Sequence, residues 1–255
     1  MLANPLGRLF LVPFPLGPDS DPTETLPPST IAVATTLRHF VAENARTARR
    51  FLGRLPLEHP LQEIRFAELN EHTRPETLPD LLMPLLAGDD VGLVSEAGCP
   101  AIADPGSALI ALAHARGIAV VPLIGPNAIL LALMASGLNG QAFAFHGYLP
   151  VDSARRASVI RELESVSATS GATQLFIETP YRGDAMLAAL LATAQPSTHL
   201  TVAADLTLAT ETVATFTLAE WAGMPRLSLA SRPAVFALLA PRVATARASR
   251  IVRRS

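Results

Sequence analysis

The stretch 91-VGLVSEAGCPAIADPG-106 decides the fold. Gly88-Asp89-Asp90 is a turn signal, and the apolar run Val91–Val94 behind it reads as a buried strand. Ser95-Glu96-Ala97-Gly98-Cys99-Pro100 follows, a loop of small residues with one carboxylate. Asp104 reads as the N-cap, and Pro105 as the first residue, of a helix running to Ala115. Strand, small-residue loop and capped helix together are how an α/β domain offers backbone groups to a ligand at the carboxyl end of its sheet. The same pattern also fits an ordinary connection that binds nothing.

On the N-terminal side, Leu9–Val12 reads as a strand entering 13-PFPLGP-18, and the proline-rich segment to about Pro28 reads as irregular. Ile31–Thr35 is predicted as a strand and Glu43–Leu52 as a helix with Arg46, Arg49 and Arg50 on overlapping faces. Ile64–Leu69 is a further strand, and Glu76–Leu86 a helix kinked or split by Pro79 and Pro84. On the other side, Gly117 stops the helix and Ile118–Pro122 is a strand. This alternation predicts a mainly parallel sheet covered on both faces.

Ile124-Gly125-Pro126-Asn127 marks the boundary, giving an α/β domain over 1–124, a second over 125–241 and a flexible basic tail over 242–255. In the second half, Phe143–Phe145 and Gln174–Glu178 read as strands. Ser153–Ser165 reads as a helix, as does a segment opening at Thr179-Pro180 and running to Ala194. The β-rich stretches 199–210 and 211–218 adjoin as an antiparallel hairpin. The second domain is therefore read as α+β with a mixed sheet.

Composition narrows the chemistry. With 49% hydrophobic and 16% charged residues there is ample material for a core. All twenty basic residues are arginine, so a P-loop lysine, a Schiff base and an ordinary pyridoxal phosphate site are excluded. The single cysteine, Cys99, rules out an internal disulfide and reads as packing before nucleophile. The six histidines have no metal-ligand spacing, so no metal is expected. The first residues lack the pattern of a secretory signal, and the apolar region 118–138 is broken by Pro122 and Gly125-Pro126. A soluble cytoplasmic protein without a membrane span is expected. The net charge of −2 hides a basic end: residues 242–255 hold five arginines and no acid. Neither GxGxxG nor GxSxG is present. The small-residue loops 13–17, 95–100 and 125–128 suit a neutral, partly apolar cofactor better than a polyphosphate.

The order of motifs resembles the tetrapyrrole methylase superfamily of S-adenosylmethionine-dependent methyltransferases. Within it, the nearer likeness is to the ribosomal small-subunit RNA 2′-O-ribose methyltransferases. The matching pieces are 10-FLVPFPLG-17, 43-ENARTARRFL-52, 94-VSEAGCPAIADPG-106, 121-VPLIGPNAILLALMASGL-138, 143-FAFHGYLP-150, 175-LFIETPYR-182 and 205-DLTLATET-212. The resemblance implies two α/β domains with the cofactor in a cleft between them, and a homodimer. It places S-adenosylmethionine against Ser95, Glu96, Ala97, Gly98, Pro126, Asn127, Ala128 and Ile177. Glu96 stands where the family usually has Asp, and Asn127 where it usually has Ser. The substrate side departs further: Glu43-Asn44-Ala45-Arg46 replaces Glu-Asp-Thr-Arg, and Thr179-Pro180-Tyr181-Arg182 replaces Ser-Pro-His-Arg. RNA is the expected partner. A tetrapyrrole or other small molecule as acceptor, or a cofactor-binding paralogue without activity, are the alternatives.

Transfer from a sulfonium to a hydroxyl needs alignment, and removal of a proton or a nearby positive charge. Glu178, ending its strand, reads as the general base or as a charge at a helix N-terminus. Arg46 reads as an oxyanion or phosphate contact, or as part of a solvated face. Glu96 offsets the sulfonium charge or is a carboxylate in water. Arg182 contacts substrate or pairs with a nearby acid.

Overall fold

The computed structural model describes residues 5–225 and 227–242. The chain partitions into two compact units: residues up to Ala128 together with Asp205–Thr210, and Ile129–Ala204 together with the chain from Glu211 onward. The reading from sequence put this division at 124/125 and kept 205–210 in the second half. The basic tail expected beyond Arg242 lies outside the described residues.

The first unit contains β1 (Leu9–Leu11), α1 (Pro22–Thr25), α2 (Pro28–Thr36), β2 (His39–Ala42), α3 (Ala45–Leu52), β3 (Arg65–Glu68), α4 (Leu78–Leu81), α5 (Met83–Ala87), β4 (Val91–Val94), α6 (Ser107–Ala115) and β5 (Val120–Pro122). Its five strands run in the order β3-β2-β4-β1-β5, all parallel. Every residue of β4 is buried, as an unbroken apolar strand at the centre of such a sheet must be. One apolar cluster holds Phe10, Phe40, Phe51 and Leu52, and another holds Leu82, Leu85, Leu93 and Leu109.

Several expectations need correction here. Ile31–Thr35 is not a strand but the body of α2, entered with Pro28 in its first turn. Its β-branched residues imitate a strand. Thr30, Ala34 and Thr35 are the buried positions, however, and spacings of four and five place them on one side of a helix. The strand slot beside β4 is taken instead by His39–Ala42. The proline-rich segment before Pro28 is not wholly irregular: Asp21 accepts a hydrogen bond from the Thr23 amide at 2.8 Å and starts the one-turn α1, with Pro22 in its first turn. Helix α6 begins at Ser107, so neither Asp104 nor Pro105 has its expected role; Gly106, at φ +134°, holds the cap position. The split predicted for Glu76–Leu86 is present as α4 and α5.

Past α7 (Ala128–Ser136), the second unit contains β6 (Phe143–Tyr148), α8 (Ser153–Ser170), β7 (Thr173–Glu178), α9 (Gly183–Thr193), β8 (His199–Ala204), β9 (Thr212–Thr217), α10 (Leu218–Gly223) and β10 (Ala234–Leu239). The sheet order is β6-β7-β10-β8-β9, with β6 and β7 parallel and the other pairs antiparallel. The sheet is thus mixed, and β8 and β9 form the expected hairpin. Phe176 and Phe236 stack at 5.5 Å in its core. Helix α9 starts at Gly183 rather than at Thr179-Pro180; the residues between form a turn.

The packing of β4 on β2 leaves no room for a side chain at Gly92. A Cβ there would lie 2.6 Å from the ring of Phe40, itself buried. Gly92→Ala should destabilise the protein by about 1–3 kcal/mol in denaturant unfolding, by overpacking. Gly137→Ala tests backbone strain instead, since its φ is +69° and nothing lies within 4 Å of the added carbon. A Gly92→Ala protein as stable as wild type would show that the β2–β4 contact is looser than described.

Candidate functional site in the loops after the parallel strands

Three loops gather at the carboxyl ends of β4, β1 and β5, which are neighbours in the first sheet. Phe14, in the loop after β1, exchanges two backbone hydrogen bonds with Gly98, at 2.8 and 3.2 Å. Gly98 takes φ +70°, with Leu16 on one side and the Pro126 carbonyl on the other. The Cys99 thiol donates to that carbonyl at 3.5 Å. Gly125 lies so close to Pro13 that a Cβ would sit 2.3 Å from its ring. Gly125 is therefore required by close approach, and Gly98 is favoured by its left-handed backbone.

Of the residues expected to bind cofactor, the first unit brings together Ser95, Glu96, Ala97, Gly98, Pro126, Asn127 and Ala128. Ser95 and Gly98 are buried, Glu96 and Ala97 are exposed, and 126–128 are half-buried. The Ser95 hydroxyl donates to the Ala97 carbonyl at 3.1 Å and so closes the loop on itself. Asn127 hydrogen-bonds Cys99, while burial pushes the Cys99 thiol up. A protonated thiol so placed is a packing group.

Beside this loop lies a concentration of negative charge that was not singled out in the sequence. Glu43 follows β2, Glu96 follows β4, and Asp104 lies in the segment entering α6. Burial first and Glu96 second raise the Glu43 carboxyl. Burial first and Glu43 second push Asp104 up to about 7, against a smaller opposing interaction with the Ser95 hydroxyl. The backbone under Asp104 is unusual too, with Ala101 at φ +65° and Ala103 at +62°. Asp104 read in sequence as a helix cap, and Glu43 as a helix start. Only the closeness of two distant segments reveals the pair. Among the described residues no group of three or more His, Cys, Asp or Glu side chains is placed to hold a metal ion.

A cavity of about 250 Å³ opens next to Glu96 and Ala97, lined also by Phe14, Leu16, Arg50 and Arg54. Thr47 of α3 donates to Glu96 at 3.3 Å. Arg46 is exposed and forms no ion pair among the described residues. Arg49 is engaged, its guanidinium 4.6 Å from the Phe66 ring centre.

The other two expected residues, Ile177 and Glu178, lie in the second unit. Ile177 is half-buried in β7, between Tyr148 and Val235. Glu178 has a fully buried side chain and both oxygens occupied. Oε1 accepts from the Thr179 amide at 2.7 Å and from its hydroxyl at 3.3 Å, and Oε2 accepts from Arg182 at 2.5 Å. Arg182 is the acid-paired arginine of the two readings given above.

The chain matches the family model Tetrapyrrole (Corrin/Porphyrin) Methylases over residues 29–222. The chain belongs to this family of S-adenosylmethionine-dependent methyltransferases. It is 33% identical to Ribosomal RNA small subunit methyltransferase I of Vibrio cholerae, over 83% of this chain and 69% of that one. With the protein of the same name from Mesorhizobium japonicum it shares 35%, over 85% and 69%. The fold is shared with uroporphyrin-III C-methyltransferase from Thermus thermophilus complexed with S-adenyl homocysteine, with TM-score 0.53, 18% identity, and 91% and 97% of the two chains covered.

The methylase's first-unit loops suit its cofactor on their own terms. They bring backbone close to a ligand, and the acids beside them carry charge that no arginine neutralises in an ion pair among the described residues. A sulfonium would relieve that repulsion, whereas a polyphosphate would add to it. Ser95, Glu96, Ala97, Gly98 and the 126–128 turn are the residues that would hold it.

The position of Asp104 has a consequence for stability. Its carboxyl titrates near 3.8 when unfolded and at about 7 in the fold, so folding takes up a proton between those values. Its stabilising contribution is complete below the lower value and lost as pH rises through the upper one. Urea unfolding from about pH 5 to pH 8 should show stability falling with pH, and Asp104→Asn should flatten most of that slope. A slope unchanged in the variant would remove Asp104 from the acid group.

Proposed function

We propose that this methylase transfers a methyl group to a ribose 2′-hydroxyl of small-subunit ribosomal RNA, in the cytoplasm and as a homodimer. The observation that carries the reading is the 33–35% identity, over more than four-fifths of the chain, with proteins named for methylating that RNA. Charge supports it in sequence: residues 242–255 hold five arginines and no acid, which suits a polyanionic acceptor, and the first unit's fifteen acids against nine arginines suit a cationic cofactor.

When bound, S-adenosylmethionine supplies an electrophilic methyl group. The 95–98 loop and the 126–128 turn hold it, and Glu96 faces its charge. Arg46, exposed at the start of α3 and in no ion pair among the described residues, would hold a phosphate or steady a developing oxyanion. Glu178 keeps the 178–182 turn in shape; with both oxygens engaged it is a positioning residue rather than the proton acceptor. Helix α7 leaves Leu130 48% and Met134 78% exposed, an apolar stretch that a second copy would cover. No helix among the described residues is long and apolar enough to cross a membrane, in keeping with a cytoplasmic enzyme.

The test is transfer of labelled methyl from S-adenosylmethionine to small-subunit particles lacking the modification. The label should appear in a dinucleotide resistant to alkali, as a 2′-O-methyl requires. Label confined to small molecules, or none at all, would sink the reading. Glu96→Ala or Asn127→Ala should weaken cofactor binding by about 5- to 50-fold in calorimetry, with RNA binding unchanged. Arg46→Ala with Arg50→Ala should reduce the salt slope of RNA binding by about two units, with cofactor binding unchanged.

A further inference from the structure

The chain has only two tyrosines, and both face water: Tyr148 is 56% exposed and Tyr181 92%. The large phenylalanines Phe40, Phe176 and Phe236 are wholly buried by contrast. Burying a ring of this size contributes roughly 1.5–3 kcal/mol, so leaving both outside needs a reason. Both belong to one edge of the second sheet. β6 and β7 are parallel and end at Tyr148 and Glu178, and Tyr181 follows three residues later.

Each ring is placed by a specific device. The β6–β7 register slips by one residue between Phe145 and Tyr148, with Gly147 at φ +63°. A bulge of this kind re-aims the side chain that follows it. Tyr181 stands on a turn pinned from several sides. Buried Glu178 binds the Thr179 amide and Arg182, and the Arg182 amide donates to the Thr179 carbonyl at 3.0 Å. The Ser231 amide donates to the Pro180 carbonyl at 3.1 Å. Arg182 also donates to the Leu149 carbonyl at 3.2 Å, tying this turn to the residue after Tyr148.

Arginines border the same edge. Arg155 and Arg156 are in the first turn of α8, which holds no acid. Arg156 donates to the Val151 carbonyl at 3.2 Å, and its buried Nε has no hydrogen-bond partner among the described residues. Asp152 is already engaged as the cap of α8, accepting from the Arg155 amide at 2.9 Å. An exposed aromatic ring on a fixed turn, with arginines in the helix that follows the neighbouring strand, is an arrangement that binding of unpaired bases uses: the ring stacks, and the cations meet the adjoining phosphates.

We propose that Tyr181, with Tyr148 beside it on this edge, is a stacking platform for an unpaired base of the RNA acceptor, and that Arg155 and Arg156 take the flanking phosphate. This rests on RNA being the acceptor. The fixed turn lowers the entropy lost on stacking, and Glu178 and Arg182 act through it as positioning residues.

The experiment uses the full chain and a short, unstructured, fluorescein-labelled RNA read by anisotropy, with cofactor affinity by calorimetry and mass by sedimentation. Tyr181→Ala should weaken RNA binding by about 5- to 150-fold, the loss of one base–aromatic stack, without changing the salt slope. Tyr181→Phe should bind as wild type, since the ring and not the hydroxyl stacks. Arg155→Ala with Arg156→Ala should lower the slope by about one to two units. Cofactor affinity should be unchanged in all three. Tyr181→Ala binding RNA as tightly as wild type would overturn the platform while leaving the RNA reading intact. A shift from dimer to monomer in Tyr181→Ala would overturn it in favour of a contact between copies. A wild-type protein that neither binds nor methylates RNA would remove both readings.

Discussion

Everything in the first unit depends on how the chain leaves β4. The strand is buried at all four positions and central in a parallel sheet, so its continuation must turn sharply at the carboxyl edge. It does so with four residues in left-handed backbone, Gly98, Ala101, Ala103 and Gly106. Two are alanines, for which that conformation costs on the order of 1 kcal/mol each or more. The cost is met by contacts outside the segment: the paired hydrogen bonds of Gly98 with Phe14, and the Cys99 thiol on the Pro126 carbonyl. The result holds Ser95–Gly98 in one shape before any ligand arrives, which is what a binding loop gains from strain.

The same turn explains the acid group. Backbone that doubles back over a short distance brings Asp104 toward Glu43 and Glu96, and burial then works with like charge to hold its proton. Such a group opposes the fold when ionised and favours any cation that binds beside it. The electrostatics of the first-unit loops are therefore set by the polypeptide itself.

Much of this was legible in sequence because the signals were local. The Asp89-Asp90 turn before an apolar run and the adjoining β-rich stretches each depend on near neighbours. The helix read from Glu43 begins instead at Ala45, capped by Asn44, which accepts hydrogen bonds from the Arg46 and Thr47 amides. Ile31–Thr35 was misread because β-branched residues in a two-turn helix cannot be told from a short strand by pattern alone; the deciding facts are Pro28 and the burial of Ala34. Asp104 was misread because Asp-Pro-Gly is a good helix start in isolation, and only Gly106 at φ +134° shows that the helix waits. The charge pile-up and the pairing of Glu178 were out of reach, since each depends on where side chains point and on what lies beside them.

Glu178 shows why that difference matters for chemistry. A carboxylate at the end of a strand is, from sequence, equally a base or an anchor. With its side chain fully buried it has lost its water, and the Arg182 guanidinium, the Thr179 amide and the Thr179 hydroxyl replace that hydration. A buried pair of this kind yields little net stability over apolar packing, because desolvation consumes most of the attraction. What it does provide is direction: the bonds at Glu178, with Arg182 on the Leu149 carbonyl, leave the Thr179–Arg182 turn few ways to sit. A proton on Oε2 would weaken its attraction to the Arg182 guanidinium and so loosen the turn, which favours the charged, turn-holding form of Glu178.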